Sequence, residues 1–280
     1  MTTEINAERI SEYLDSRDDF DLELFAYRAL SEHGWPAHHG GTYTDPITSK
    51  WRQYDVRAMY HWDHRFVVSL AVECKSLSAE FPLVVSRVPR APLDSYHDVI
   101  KCWRRTEIGD KAFAVETPDP SKLQLYGATQ PVGKSITQVR WDKAGGGRMI
   151  ASDSETHEKW SQALSSATEF VAKATTTCGN EGSAVYGFIL PILIVSDHTL
   201  WVVDYSEEGV RETPKQVDET TLFVGREYPL DGRNGESCYR ISHLQICTRR
   251  GFSQFLQSLT HPSGLVREKI FGFTVRNTRA

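Results

Sequence analysis

Trp51-Arg52-Gln53-Tyr54-Asp55-Val56-Arg57-Ala58-Met59-Tyr60 and Phe66-Val67-Val68-Ser69-Leu70-Ala71-Val72-Glu73-Cys74-Lys75 read as the two strands of one hairpin. Both runs are rich in β-branched and aromatic residues, and the break at residues 61–65 suits a hairpin loop. Side chains at i and i+2 on a strand share a face, so Glu73 and Lys75 point one way while Val72 and Cys74 point the other. With Tyr60 opposite Phe66, Asp55 falls opposite Ala71, and Gln53, Asp55, Ala71, Glu73 and Lys75 share that face. A one-residue slip would disperse them.

Outward from this hairpin the pattern alternates. Before it, Phe20, Leu24, Tyr27 and Leu30 recur at helical spacing with acids in the first turn and Gly34 at the capping position, which predicts a helix over about 19–33. After it, Pro82 to Val88 reads as a third strand of the same unit. Ser95 and Asp98 have the spacing of a capping box for a short helix, with strands following at 112–116 and 123–126 and a flexible Gly145-Gly146-Gly147 loop. Glu155 to Lys173 reads as a second long helix, with Trp160, Leu164 and Ala167 or Val171 on one face. Strands are predicted at 186–195, 200–205, 221–224 and 238–247, then a helix at 252–259. The class is α/β, in one domain spanning 1–280: a core over about 18–90 and 155–205, an insertion over about 90–150, and a β-rich C-terminal extension over about 206–280. No repeat at solenoid period is visible.

Composition limits the classes available. The chain has 280 residues, of which 40% are apolar and 25% charged, with net charge −5. That is enough to bury a core without disulfides or a structural metal. The opening MTTEINAERISE carries no secretory pattern, and the most apolar run, Tyr186 to Val195, is half a membrane span and contains Pro191. The five cysteines include no CxxC pair, so neither a disulfide framework nor a zinc ribbon is expected, and a reducing cytoplasm is. Acids concentrate near the N-terminus, and Arg240, Arg249, Arg250, Arg267, Lys269, Arg276 and Arg279 near the C-terminus.

The hairpin face carries the chemistry. Two close carboxylates repel unless a cation lies between them, and hard oxygen donors suit Mg²⁺ or Mn²⁺. A neighbouring lysine can hold an attacking water and offset charge on a pentavalent phosphate. Glu23, in line with Tyr27 and Leu30 at i+4 and i+7, places an acid on a mainly inward stripe, where it needs a cation or donor. The competing reading is a surface hairpin with a solvated ion pair worth under about 1 kcal/mol.

In Asp19-Phe20-Asp21-Leu22-Glu23, Arg52-Gln53-Tyr54-Asp55-Val56 and Ala71-Val72-Glu73-Cys74-Lys75 the sequence resembles the PD-(D/E)XK superfamily, the restriction-endonuclease-like nucleases. The resemblance implies an α-β-β-β-α-β core, a mixed sheet flanked by helices, with added C-terminal strands and a short helix. It implies a Mg²⁺-dependent (or Mn²⁺-dependent) nuclease in which Asp55, Glu73 and the Cys74 carbonyl bind the metal, Lys75 serves the water, and Glu23 serves a second or outer site. Gln53 is a supporting residue, and Gln138 and Lys159 are candidates for the Gln or Lys that several members carry on the helix after the hairpin. Tyr54 stands where the family pattern has Pro. The resemblance further implies a nucleic-acid substrate, DNA ahead of RNA, work in restriction, antiviral defence or repair, and a homodimer or a partner subunit of a defence system. The alternative is a catalytically inactive nuclease-like fold that binds nucleic acid or a protein.

Other signals are weaker. Gly127 to Ser135 imitates a phosphate-binding loop, but five residues separate the glycines where the motif needs four, and Pro131 has no N–H to give, so a P-loop-like NTPase ranks below both readings. Lys101, Arg104 and Arg105 flank Trp103 as a candidate nucleic-acid contact, and Lys134 and Arg140 are separate candidates for a loop that touches phosphates. His38-His39 and His61-Trp62-Asp63-His64 lack further ligands at metal-binding spacing.

Overall fold

The computed structural model describes residues 5–17, 19–46, 48–62, 65–91, 94, 97–104, 110–117, 130–142, 147–151, 154–178, 183–232 and 235–260. The elements begin with α1 (Ala7–Arg17), α2 (Phe20–Glu32), β1 (Ala37–His39), β2 (Thr42–Thr44), β3 (Trp51–Gln53), β4 (Val56–Trp62), β5 (Phe66–Lys75) and β6 (Leu83–Val88). Next come β7 (Val99–Arg104), β8 (Lys111–Glu116), β9 (Val132–Asp142), β10 (Arg148–Ala151), α3 (Ser154–Ser166) and α4 (Thr168–Ala174). The chain then forms β11 (Val185–Val195), β12 (Leu200–Asp204), β13 (Lys215–Gln216), β14 (Glu219–Gly232), β15 (Gly235–Thr248) and α5 (Arg249–Thr260). Among the described residues no helix is long and apolar enough to cross a membrane.

β11 organises the core. All of its residues are buried, as expected of a parallel strand covered on both faces. It runs parallel to β5, with Tyr186 opposite Phe66 and Val195 opposite Lys75, and parallel to β15 from Ile192 to Val195. Its start pairs antiparallel with β7 from Val185 to Gly187. Pro191 falls between these last two pairings, where a residue without N–H costs least. One face of the sheet packs Leu70, Val72, Phe188 and Ile192 against Leu22, Ala26 and Leu30 of α2 and Phe252 and Leu256 of α5. The other packs Ala71, Ile189, Tyr239 and Ile241 against Leu164 of α3, Phe170 and Val171 of α4, and Ala167 between those helices. The result is a mixed sheet with helices on both faces. α2 ends where foreseen: Gly34 takes φ +76° and its N–H donates to the Ser31 carbonyl at 3.0 Å.

Several expectations change. β6 does not join β4 and β5. The order β1-β4-β5-β11-β15-β14-β9-β6-β12-β13 puts it between β9 and β12, because β11 occupies the edge of β5 that a third hairpin strand would need. The C-terminal strands are no extension, since β15 stands beside β11 in mid-sheet. The region at 90–150 contributes β9 to the same sheet, through β6 and β14. The helix foreseen after Ser95 gives way to β7 from Val99, with Val99, Ile100 and Cys102 buried. The strand foreseen at 123–126 lies outside the described residues, as do Gly127 and the C-terminal residues from 261 onward. The single strand foreseen at 51–60 breaks into β3 and β4, and the helix at 155–173 into α3 and α4 at Ala167. Cys102 and Cys178 form a disulfide, so the cysteines are not all unpaired. That removes the cysteine ground for expecting a reducing compartment.

Candidate active site

Asp55 occupies the bend between β3 and β4, and its position follows from the hairpin. The loop is shorter than foreseen: Trp62 pairs with Phe66, Arg57 with Ala71 and Val56 with Val72. One further step brings Asp55 level with Glu73 rather than Ala71. The difference is two residues, which preserves the side-chain face. Ala71 packs under α3 and α4 while Val72 and Cys74 lie in the opposite apolar cluster. Asp55 is fixed from behind, because the Cys74 N–H donates to its Oδ2 at 2.7 Å.

Glu73 has no solvent exposure. Neither carboxylate oxygen has a hydrogen-bond partner among the described residues. Burial first, and the charge of Asp55 second, push its pKa well above the usual carboxylate range. Lys159 of α3 supplies the nearest compensation, with Nζ at 3.2 Å from Asp55 Oδ2 and 3.7 Å from Asp19 Oδ2. Burial alone would lower the Lys159 pKa, but the charges of Asp55, Glu73 and Asp19 outweigh it and hold the ammonium above its ordinary value. Lys75 Nζ is 3.7 Å from the same Asp19 oxygen.

Glu23 reaches the same place from α2. It pairs with His39 Nε2 at 2.9 Å. Burial, then Asp55, raise its pKa, and the His39 hydrogen bond and Lys159 partly offset this. Glu23, Gln53, Asp55, Lys75, Lys159 and Gln162 all line a cleft of about 460 Å³, with Glu73 buried beside Asp55.

No family model, curated protein or solved structure matches this chain. The site therefore has to be judged on its own groups. Among the described residues no three His, Cys, Asp or Glu side chains form a ready metal cage. Asp55 and Glu73 are the carboxylates that stand closest to one another in the site, and the burial of both Glu73 oxygens is what favours a hard cation beside them.

Of the paired candidates, Lys159 is the one on a helix and in the cleft. Gln138 lies on β9, where its side chain donates to the Phe81 carbonyl at 3.2 Å. The basic residues proposed for nucleic acid do not line the cleft. Lys101 pairs with Glu116 at 3.2 Å, Lys134 with Asp94 at 2.8 Å, and Arg104 and Arg140 are exposed on β7 and β9. Arg105 lies outside the described residues. Lys134 is also no phosphate-loop lysine, since it belongs to β9. His39 is taken by Glu23, and His61 is exposed at the end of β4.

Two site residues were not foreseen. Asp19 precedes α2 but does not cap it. Its Oδ1 instead accepts from the Ser76 N–H at 2.6 Å, just past β5, which leaves Oδ2 facing both lysines. Gln162 is one helical turn from Lys159, and that i+3 spacing was the available signal.

Proposed function

We propose that the chain is a metal-dependent phosphodiesterase, a nuclease acting on DNA ahead of RNA, in restriction, antiviral defence or repair. The observation that carries this reading is the fully buried Glu73 carboxylate beside the Asp55 carboxylate, at a cleft that also presents two lysines. Asp55, Glu73 and the Cys74 carbonyl would hold Mg²⁺ or Mn²⁺. Such an ion would polarise a phosphoryl oxygen and lower the pKa of water at the site.

The chain's own groups divide the remaining work. Lys75, at the cleft, orients the attacking water, with Asp19 fixing its ammonium. Lys159, whose ammonium is favoured by the carboxylates of Asp55, Glu73 and Asp19, serves as a charge that offsets the anion building on phosphorus. Glu23, oriented by His39, stands at the outer side of the cleft, where a second cation or a water network would be held.

A second reading, a nuclease-like fold that only binds, is favoured by one observation: Lys159 already places an ammonium against Asp55. The two separate in one assay, in which plasmid, single-stranded DNA and RNA are incubated with the protein in Mg²⁺, Mn²⁺ or EDTA. Cleavage should need the metal and fall by about 10²-fold or more in Lys75→Ala and Asp55→Ala. Cleavage that both variants retain would overturn the site, and a folded protein that cuts nothing would favour binding alone.

A further inference from the structure

Beside the cleft lies a second cavity that the proposed chemistry does not use. Arg57, Met59 and His61 follow one another on one face of β4, just past Asp55 in the bend before it. Past Asp55 this face opens on a space of about 460 Å³ between β4 and α4, with Tyr54, Arg57, Met59, His61, Phe170 and Lys173 in its wall. Arg57 is 8% exposed and rigidly held. It pairs with Glu169, donates to the Ser166 carbonyl at 2.8 Å, and lies 4.0 Å from the centre of the Tyr54 ring and 5.4 Å from that of Phe170. Its buried Nε has no partner among the described residues. The wall therefore combines a flat aromatic and thioether surface with a guanidinium already paired to Glu169, whose carboxylate lines the same cavity, and Lys173 and His61 stand exposed at the rim. Arg57 is roughly 7 Å along the strand from Asp55, within one nucleotide's reach of the cleft.

We propose that this cavity receives an unpaired base of the substrate, from the nucleotide next to the bond that is cut. Resting on the nuclease reading of the cleft, this makes single-stranded or locally opened DNA the substrate class. A base still stacked in a duplex cannot enter such a slot, whereas an unstacked one gains an aromatic and thioether wall to pack against.

The test is fluorescence anisotropy in EDTA with three labelled ligands: a single-stranded oligothymidylate, a strand of equal length built of abasic units, and a blunt duplex. The wild type should bind the base-bearing strand about ten-fold or more tightly than the other two. Met59→Glu, which puts a carboxylate into the cavity, and Tyr54→Ala, which removes one wall, should each abolish the preference while keeping the wild-type melting transition. Equal binding of base-bearing and abasic strands by the wild type would overturn the proposal. So would a preference that survives in whichever variant remains folded. The outcomes separate from the nuclease reading, because cleavage without base preference removes only the subsite. Base preference without cleavage removes only the enzyme.

Discussion

At the residue scale the site turns on how a fully buried carboxylate is tolerated. Glu73 has a raised pKa, so its protonated form is favoured in the folded state. The sign for stability follows: stability falls as pH rises from the ordinary carboxylate range towards the raised value, because the unfolded chain loses its proton first. Glu23 contributes in the same direction. Glu73→Gln should therefore stabilise the metal-free protein at neutral pH by about 1–3 kcal/mol, and flatten the dependence seen in thermal melts in EDTA between about pH 4 and pH 8. Added Mg²⁺ should raise the wild-type melting temperature and leave that of Glu73→Gln unchanged; equal shifts would remove Glu73 from the metal site. Lys159→Met removes the compensating cation and should destabilise by a similar amount, about 1–3 kcal/mol. In the double variant with Glu73→Gln the cost should shrink, because the two side chains act on one another. Denaturant titrations of the four proteins measure that difference.

At the scale of elements, β11 and its two parallel neighbours form the frame that places the cleft. Ile192, fully buried between α2 and α5 on one side of this frame, should cost about 2–5 kcal/mol when cut to Ala, measured by urea unfolding. The strand was legible because an uninterrupted apolar run has no solvent face to offer. The carboxylate face was legible for a related reason, since side-chain direction repeats every two residues and a two-residue error in the loop leaves it intact. Partner choice was not legible. Pro82 to Val88 is a good strand in isolation, but nothing local says that residues 185–195 will claim β5 first. Val99 to Arg104 likewise lost to tertiary pairing, because a short apolar run after a capping-box spacing suits either state until β11 and β8 supply ladders for it. α1 passed unnoticed because Ile10, Tyr13 and Leu14 are exposed, so no buried stripe betrays it. Asp19 was quoted only as part of a motif, since its role arises from a backbone N–H far along the chain.

For the whole molecule, the Cys102–Cys178 bond ties β7 to the end of α4 across 76 residues. By the chain-entropy model a loop of that size is worth about 4.5 kcal/mol, so reduction, or Cys102→Ala, should lower unfolding stability by up to that amount. Alkylation followed by mass spectrometry should label Cys102 and Cys178 only after reduction. The same covalent tie leaves the cleft alone, because neither cysteine lines it; if the proposed cleavage is found, reduced protein that stays folded should show it at the same rate as the oxidised protein.

The mid-sheet place of β15 bears on synthesis. A ribosome that has delivered residues 1–195 has released every group of the cleft, yet β11 still lacks the neighbour that residues 245–248 provide. The nascent chain must therefore carry an open, apolar edge on β11 until β15 has been made, so the frame that places the cleft closes well after the cleft's own groups have been synthesised.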